Sequence, residues 1–74
     1  MQNISAIIKR SVIINGRKTS VSLEDPFWEG LRLIAKDRNL GLSKLVQEIY
    51  ETSTSENLSS SIRLHVLRHY QQAP

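Results

Sequence analysis

The stretch from Arg17 to Trp28, RKTSVSLEDPFW, constrains this chain more than any other segment. Its first half alternates as a strand with one apolar side does. Thr19, Val21 and Leu23 fall on one face, and Lys18, Ser20 and Ser22 on the other, because successive side chains leave opposite faces of a strand. Its second half reads as a helix start, with Glu24 or Asp25 as cap, Pro26 in the first turn, and apolar Phe27 and Trp28 after it. A short strand that runs straight into a helix has no partner beyond a local hairpin. It needs a further edge, and a second copy of the same chain is the expected donor. Two such strands side by side would present the row Lys18, Ser20 and Ser22 in duplicate.

Seventy-four residues make one small domain. A core of that size rarely supplies more than ~3–5 kcal/mol, so such chains are usually held by disulfides, a metal or a partner. The absence of cysteine removes disulfides and thiolate metal sites and fits a reducing compartment. Oligomerisation is the remaining support. No apolar run approaches the ~20 residues of a membrane-crossing helix, and no apolar signal-peptide core opens the chain, so a bacterial-type cytoplasmic protein is expected. The net charge of +3 is unevenly placed. Residues 1–22 hold Lys9, Arg10, Arg17 and Lys18 and no acid, while residues 23–74 hold six basic against seven acidic residues. A basic face confined to the strand region is the footprint expected for phosphate contact, with a solvated basic arm as the plain alternative.

Residues 1–6 read as a flexible arm, residues 7–70 as a single domain, and residues 71–74 as a fraying tail. From Ile7 to Ile14 the run IIKRSVII is rich in β-branched residues and is followed by Asn15-Gly16, the strongest short hairpin signal. A two-residue turn pairs Ile14 with Arg17, Val12 with Thr19 and Ser11 with Ser20. Val12 and Ile14 then share the inward face with Val21, and Lys9, Ser11 and Ile13 share the outward face with Lys18, Ser20 and Ser22. A first helix is expected over about Pro26 to Arg38, with Phe27, Leu31, Ile34 and Ala35 inward and Asn39 as a left-handed stop. Ser43 is expected to cap a second helix to about Glu51, with Leu45, Val46 and Ile49 inward. Asn57 or Ser59 caps a third, reaching about Tyr70, with Leu58, Ile62, Val66 and Tyr70 on its apolar face, widened by Leu64 and Leu67.

Nothing in the pattern points to catalysis, a cofactor or a metal. His65 and His69 have the spacing of a zinc-binding pair, but a metal site needs three or four ligands and no cysteine or nearby carboxylate on that helix joins them. The serines at 53, 55, 59, 60 and 61 read as linker and cap residues, not nucleophiles. An enzyme is not expected.

The fold class is then α+β, mostly α, in the order hairpin, helix, helix, with a third helix appended. With that order, Lys9-Arg10-Ser11-Val12, Thr19-Ser20-Val21-Ser22-Leu23-Glu24, Phe27-Trp28, Asn57-Leu58-Ser59-Ser60 and Arg63-Leu64 resemble the ribbon-helix-helix superfamily. More narrowly, they resemble its short domain proteins of alphaproteobacteria. The resemblance implies an intertwined homodimer whose strands form an antiparallel ribbon in the major groove of double-stranded DNA. It implies base contact by Lys18, Ser20 and Ser22, and a phosphate clamp by Gly41, Leu42, Ser43 and Lys44, with Lys9 also toward phosphate. Free amides and the helix dipole favour an anion at such a helix start. The expected function is a sequence-specific DNA-binding repressor. The alternative is an antitoxin-like or adaptor dimer that binds a protein through residues 52–70, with weak or no DNA binding.

Two departures bear on this. Many relatives carry a hydroxyl residue where this chain has Gly41. In addition, a hairpin on both sides of the ribbon gives four strands at ~4.8 Å spacing, which fills or exceeds a groove ~12 Å wide. Either the first strand lifts away on binding or the sheet serves another purpose.

Overall fold

The alternation of residues 7–24 closes into an antiparallel hairpin of β1 (Ile7–Ile14) and β2 (Arg17–Glu24). Three helices follow, α1 (Asp25–Asp37), α2 (Leu42–Thr52) and α3 (Leu58–Gln71). The computed structural model describes residues 6–53 and 56–72. Of the expected arm only Ala6 is described, and of the expected tail only Gln71, which belongs to α3, and Gln72, its cap position.

The strand register is the one that the Asn-Gly turn dictates: Ile14 faces Arg17, Val12 faces Thr19, Ser11 faces Ser20 and Lys9 faces Ser22. Asn15 and Gly16 both take positive φ, 51° and 77°, as a two-residue turn of matching twist requires. The Asn15 side chain accepts from Gln47 Nε2 and its backbone N–H donates to Gln47 Oε1, both at 2.8 Å, which ties the turn to α2.

The first helix starts at Asp25 with Glu24 as its cap position, but Glu24 makes no side-chain capping bond. It ends one residue before Arg38. Asn39, at φ 58°, turns the chain, its N–H reaching the Lys36 carbonyl while the Leu40 N–H reaches that of Ala35. That pair of bonds is a Schellman stop, in which Asn replaces the usual Gly. The cap of α2 is Gly41, not Ser43, which lies in the first helical turn. In α3 the Asn57 side chain accepts from the Ser60 N–H at 3.3 Å.

Val12, Ile14, Val21 and Leu23 of the hairpin join Leu31 and Ile34 of α1, Leu45, Val46 and Ile49 of α2, and Ile62 and Val66 of α3 in one core. Val21, Leu23, Leu31, Ile34, Leu45 and Ile49, all expected to face inward, are buried within one chain. Phe27 is half-buried against the same core. The supposition that one chain has too little material to close this core is therefore corrected. Residues 58–71 fold back as α3 and supply the missing layer. Close approach makes this possible, since a Cβ on Gly30 of α1 would stand 2.7 Å from Val66 Cγ1 of α3. Leu64 and Leu67 do not widen the buried face, being 47% exposed each, and Tyr70 is 49% exposed.

Candidate nucleic-acid interface

The inward side of the hairpin packs into the core, which leaves its outward side for contact. There the cross-strand neighbours are Lys9 with Ser22, Ser11 with Ser20, and Ile13 with Lys18. Lys9, Ser11, Lys18 and Ser20 are exposed. The structure thus brings Lys9, Lys18, Ser20 and Ser22 onto one face. It places Gly41, Leu42, Ser43 and Lys44 elsewhere, at the amino end of a helix that packs on the hairpin's inner side. Ser43 and Lys44 are exposed there and Leu42 is half-buried. The first-turn amides of α2 have no carbonyl partner in the helix and no side-chain cap, so they stand ready for an acceptor.

Ser22 is the one member of the outward row that is half-buried, and the cause lies in α3. A two-residue turn makes Ile14 and Arg17 a hydrogen-bonded pair, so the odd-numbered residues of β2 bond to β1. The even-numbered ones aim their N–H and C=O at the opposite edge. At that edge the Ser22 N–H donates to Ser59 Oγ at 3.2 Å, and the Ser22 carbonyl accepts from Arg63 Nη2 at 3.3 Å. Arg63 Nε also donates to Glu24 Oε1 at 2.9 Å. That hydrogen bond, then the bond from Glu24's own backbone N–H, holds the Glu24 carboxyl below its ordinary value. The sequence carried Ser59 and Arg63 only as parts of a family-like string. Their role at the strand edge was not legible from spacing, because it depends on how α3 folds back. Glu24, expected as a cap, is drawn off by the same arginine.

Arg10, which has inward parity at the hairpin's end, is paired with Asp25 and lies over the Trp28 ring, 5.0 Å from its centroid. That removes it from the outward face. Arg17 is exposed. His65 is pushed below the ordinary histidine value, first by burial and then by the charges of Arg38 and His69, with Glu48 opposing. The His69 ring stands edge-on to Tyr70. Among the described residues no group of three or more His, Cys, Asp or Glu could hold a metal ion, and no helix is long and apolar enough to cross a membrane.

A family model described as a ribbon-helix-helix domain matches residues 7–70. The chain belongs to the ribbon-helix-helix domain family. The match takes in the hairpin, α1, α2 and nearly all of α3, so the third helix lies within the family pattern. Ribbon-helix-helix domains bind DNA and dimerise, and theirs is a DNA-binding and regulatory fold, not an enzyme family. At that level the chain is a DNA-binding regulatory domain. No curated protein and no solved structure matches it significantly.

Proposed function

We propose that this chain is a homodimeric, sequence-specific transcriptional repressor of the bacterial cytoplasm that lays the outward face of its hairpin in the major groove. The observation that carries this reading is the composition of that face in a ribbon-helix-helix domain. Lys9, Ser11, Lys18 and Ser20 stand exposed on adjacent strands, and the acid at the end of the face, Glu24, is engaged by Arg63. In the arrangement the family implies, β2 lies on the dimer axis and Lys18, Ser20 and Ser22 face the bases. Lys9, Lys44 and the amides of Leu42 and Ser43, with Gly41 leaving room before them, take phosphates. A hydroxyl or ammonium group suits base-edge acceptors in the groove, and an uncapped helix start suits an anion.

A gel shift of the purified protein on DNA from upstream of its own gene, with random DNA as competitor, tests this. Replacing Ser20 and Ser22 together with Ala is expected to leave the fold intact and to reduce discrimination by ~1–3 kcal/mol for each well-formed base-edge interaction removed. Lys44→Ala is expected to weaken binding about equally on every sequence and to lower the salt slope by about two units, one phosphate per subunit. Unchanged discrimination in the serine variant would remove the hairpin as reader.

One observation supports the second reading, an antitoxin-like or adaptor role through residues 52–70. Leu64 and Leu67 of α3 are each 47% exposed on successive turns, in a helix whose other face already closes the core. A folded protein with no DNA affinity at low salt, captured by a protein encoded beside it, would favour that role.

A further inference from the structure

Part of the outer edge of β2 is occupied, and by side chains that imitate a strand. In an antiparallel ladder an edge residue donates its N–H to the neighbouring strand and accepts from it through its C=O. Ser22 does both with α3. Its N–H donates to Ser59 Oγ at 3.2 Å, and its carbonyl accepts from Arg63 Nη2 at 3.3 Å. Ser59 and Arg63 stand four residues apart on one helix, so a single face of α3 supplies the acceptor and the donor together. Farther along the same edge Lys18 and Ser20 are exposed, and among the described residues no third strand pairs there. A strand added to this edge would lie about 4.8 Å from β2, with its carbonyl oxygen roughly 2.9 Å from the Ser22 nitrogen. Ser59 Oγ stands where that oxygen must go, and the backbone of α3 lies behind it. The two cannot share the edge.

We propose that the start of α3 is an autoinhibitory cap: Ser59 and Arg63 hold the Ser22 edge in the monomer and must be displaced before the ribbon of two chains closes at full length. The inference rests on the dimeric reading above, with β2 on the axis, and adds the regulation of that same site. The displacement is local. Ile62 is fully buried and Val66 nearly so, and they keep the rest of α3 on the core. What gives way is the turn held by Asn57, whose side chain accepts from the Ser60 N–H at 3.3 Å and whose carbonyl accepts from the Ser61 N–H at 3.1 Å. Ser22 is half-buried while the cap is in place. Association and the uncovering of Ser22 are therefore one event, and the monomer presents an incomplete row to DNA.

Sedimentation equilibrium of the full chain, without DNA, measures the competition. Ser59→Ala removes the acceptor, and Arg63→Met removes the donor while keeping the apolar stem. Each variant is expected to dimerise about tenfold more tightly than the parent, since every dimer frees two such contacts, with helical signal retained. Hydrogen exchange of the parent is the second measurement and needs no substitution. The Ser61 amide, protected in the dilute monomer, is expected to exchange faster in the concentrated dimer. Unchanged or weaker dimerisation of both folded variants would overturn the proposal and leave the dimeric reading standing, with α3 a bystander or a support. Should a variant fail to fold, slower or equal exchange at Ser61 on dimerisation of the parent would overturn it alone. A monomer in the parent and in both variants at the highest concentration would overturn the dimeric reading, and the cap with it.

Discussion

At the residue scale, Arg63 ties α3 to the end of β2. It holds the Glu24 carboxylate, the Ser22 carbonyl and, through the position of α3, the Ser59 contact. Its effect reaches solution as a pH dependence. The Glu24 carboxyl is held below its ordinary 4.5, so its contribution is present above that value and is lost as pH falls through the folded-state value. His65 is held below its ordinary 6.5, so the unfolded chain takes up that proton first, and stability begins to fall once pH drops below 6.5. Both act in the same direction, and stability should decline in two stages as pH falls, the first setting in below pH 6.5 and the second below pH 4.5. Urea midpoints measured across that range should lose the upper stage in His65→Gln and the lower stage in Glu24→Gln. An unchanged profile in both variants would show that other groups govern the titration.

At the element scale, the hairpin and the helix order were legible because each depends on local chemistry. Asn15-Gly16 fixed the turn, the turn fixed the register, and Asn39 ended α1 in a left-handed conformation. The details that failed depend on long-range placement. Ser43 yields the cap of α2 to Gly41, and Leu64 and Leu67 lie outside the core, since helical spacing identifies an apolar face but not which of its flanks another element covers. Gly30 gave no sequence signal at all, yet it is where α1 and α3 meet. Gly→Ala inside a helix ordinarily stabilises by about 0.5–1 kcal/mol. Here the added methyl meets Val66 at an impossible distance, and overpacking of that kind costs about 1–3 kcal/mol. Gly30→Ala is therefore expected to lower stability on denaturant unfolding. If the variant is stabilised instead, α1 and α3 are not as close as described. The candidate site was half legible: the outward row followed from alternation, while the covering of Ser22 by α3 did not.

At the scale of the whole molecule, a core closed within one chain separates folding from association. If two chains shared that core, dilution would unfold the protein; with α3 supplying the missing layer, dilution is expected to yield a folded monomer. Sedimentation and far-ultraviolet circular dichroism, followed from high to nanomolar concentration, should show the mass halving while the helical signal holds. Loss of both together would restore the obligate, shared core. Function depends on a further point, that the outward face of the hairpin and the start of α2 act as one DNA-binding surface. Titrating the isotopically labelled protein with a DNA duplex at low salt, and following every backbone amide by NMR, addresses it without any substitution. The largest shifts are expected between Lys9 and Ser22 and at Leu42, Ser43 and Lys44, with α3 beyond Arg63 little changed. Shifts confined to residues 64–71, or none at all with the fold intact, would contradict a surface of that kind.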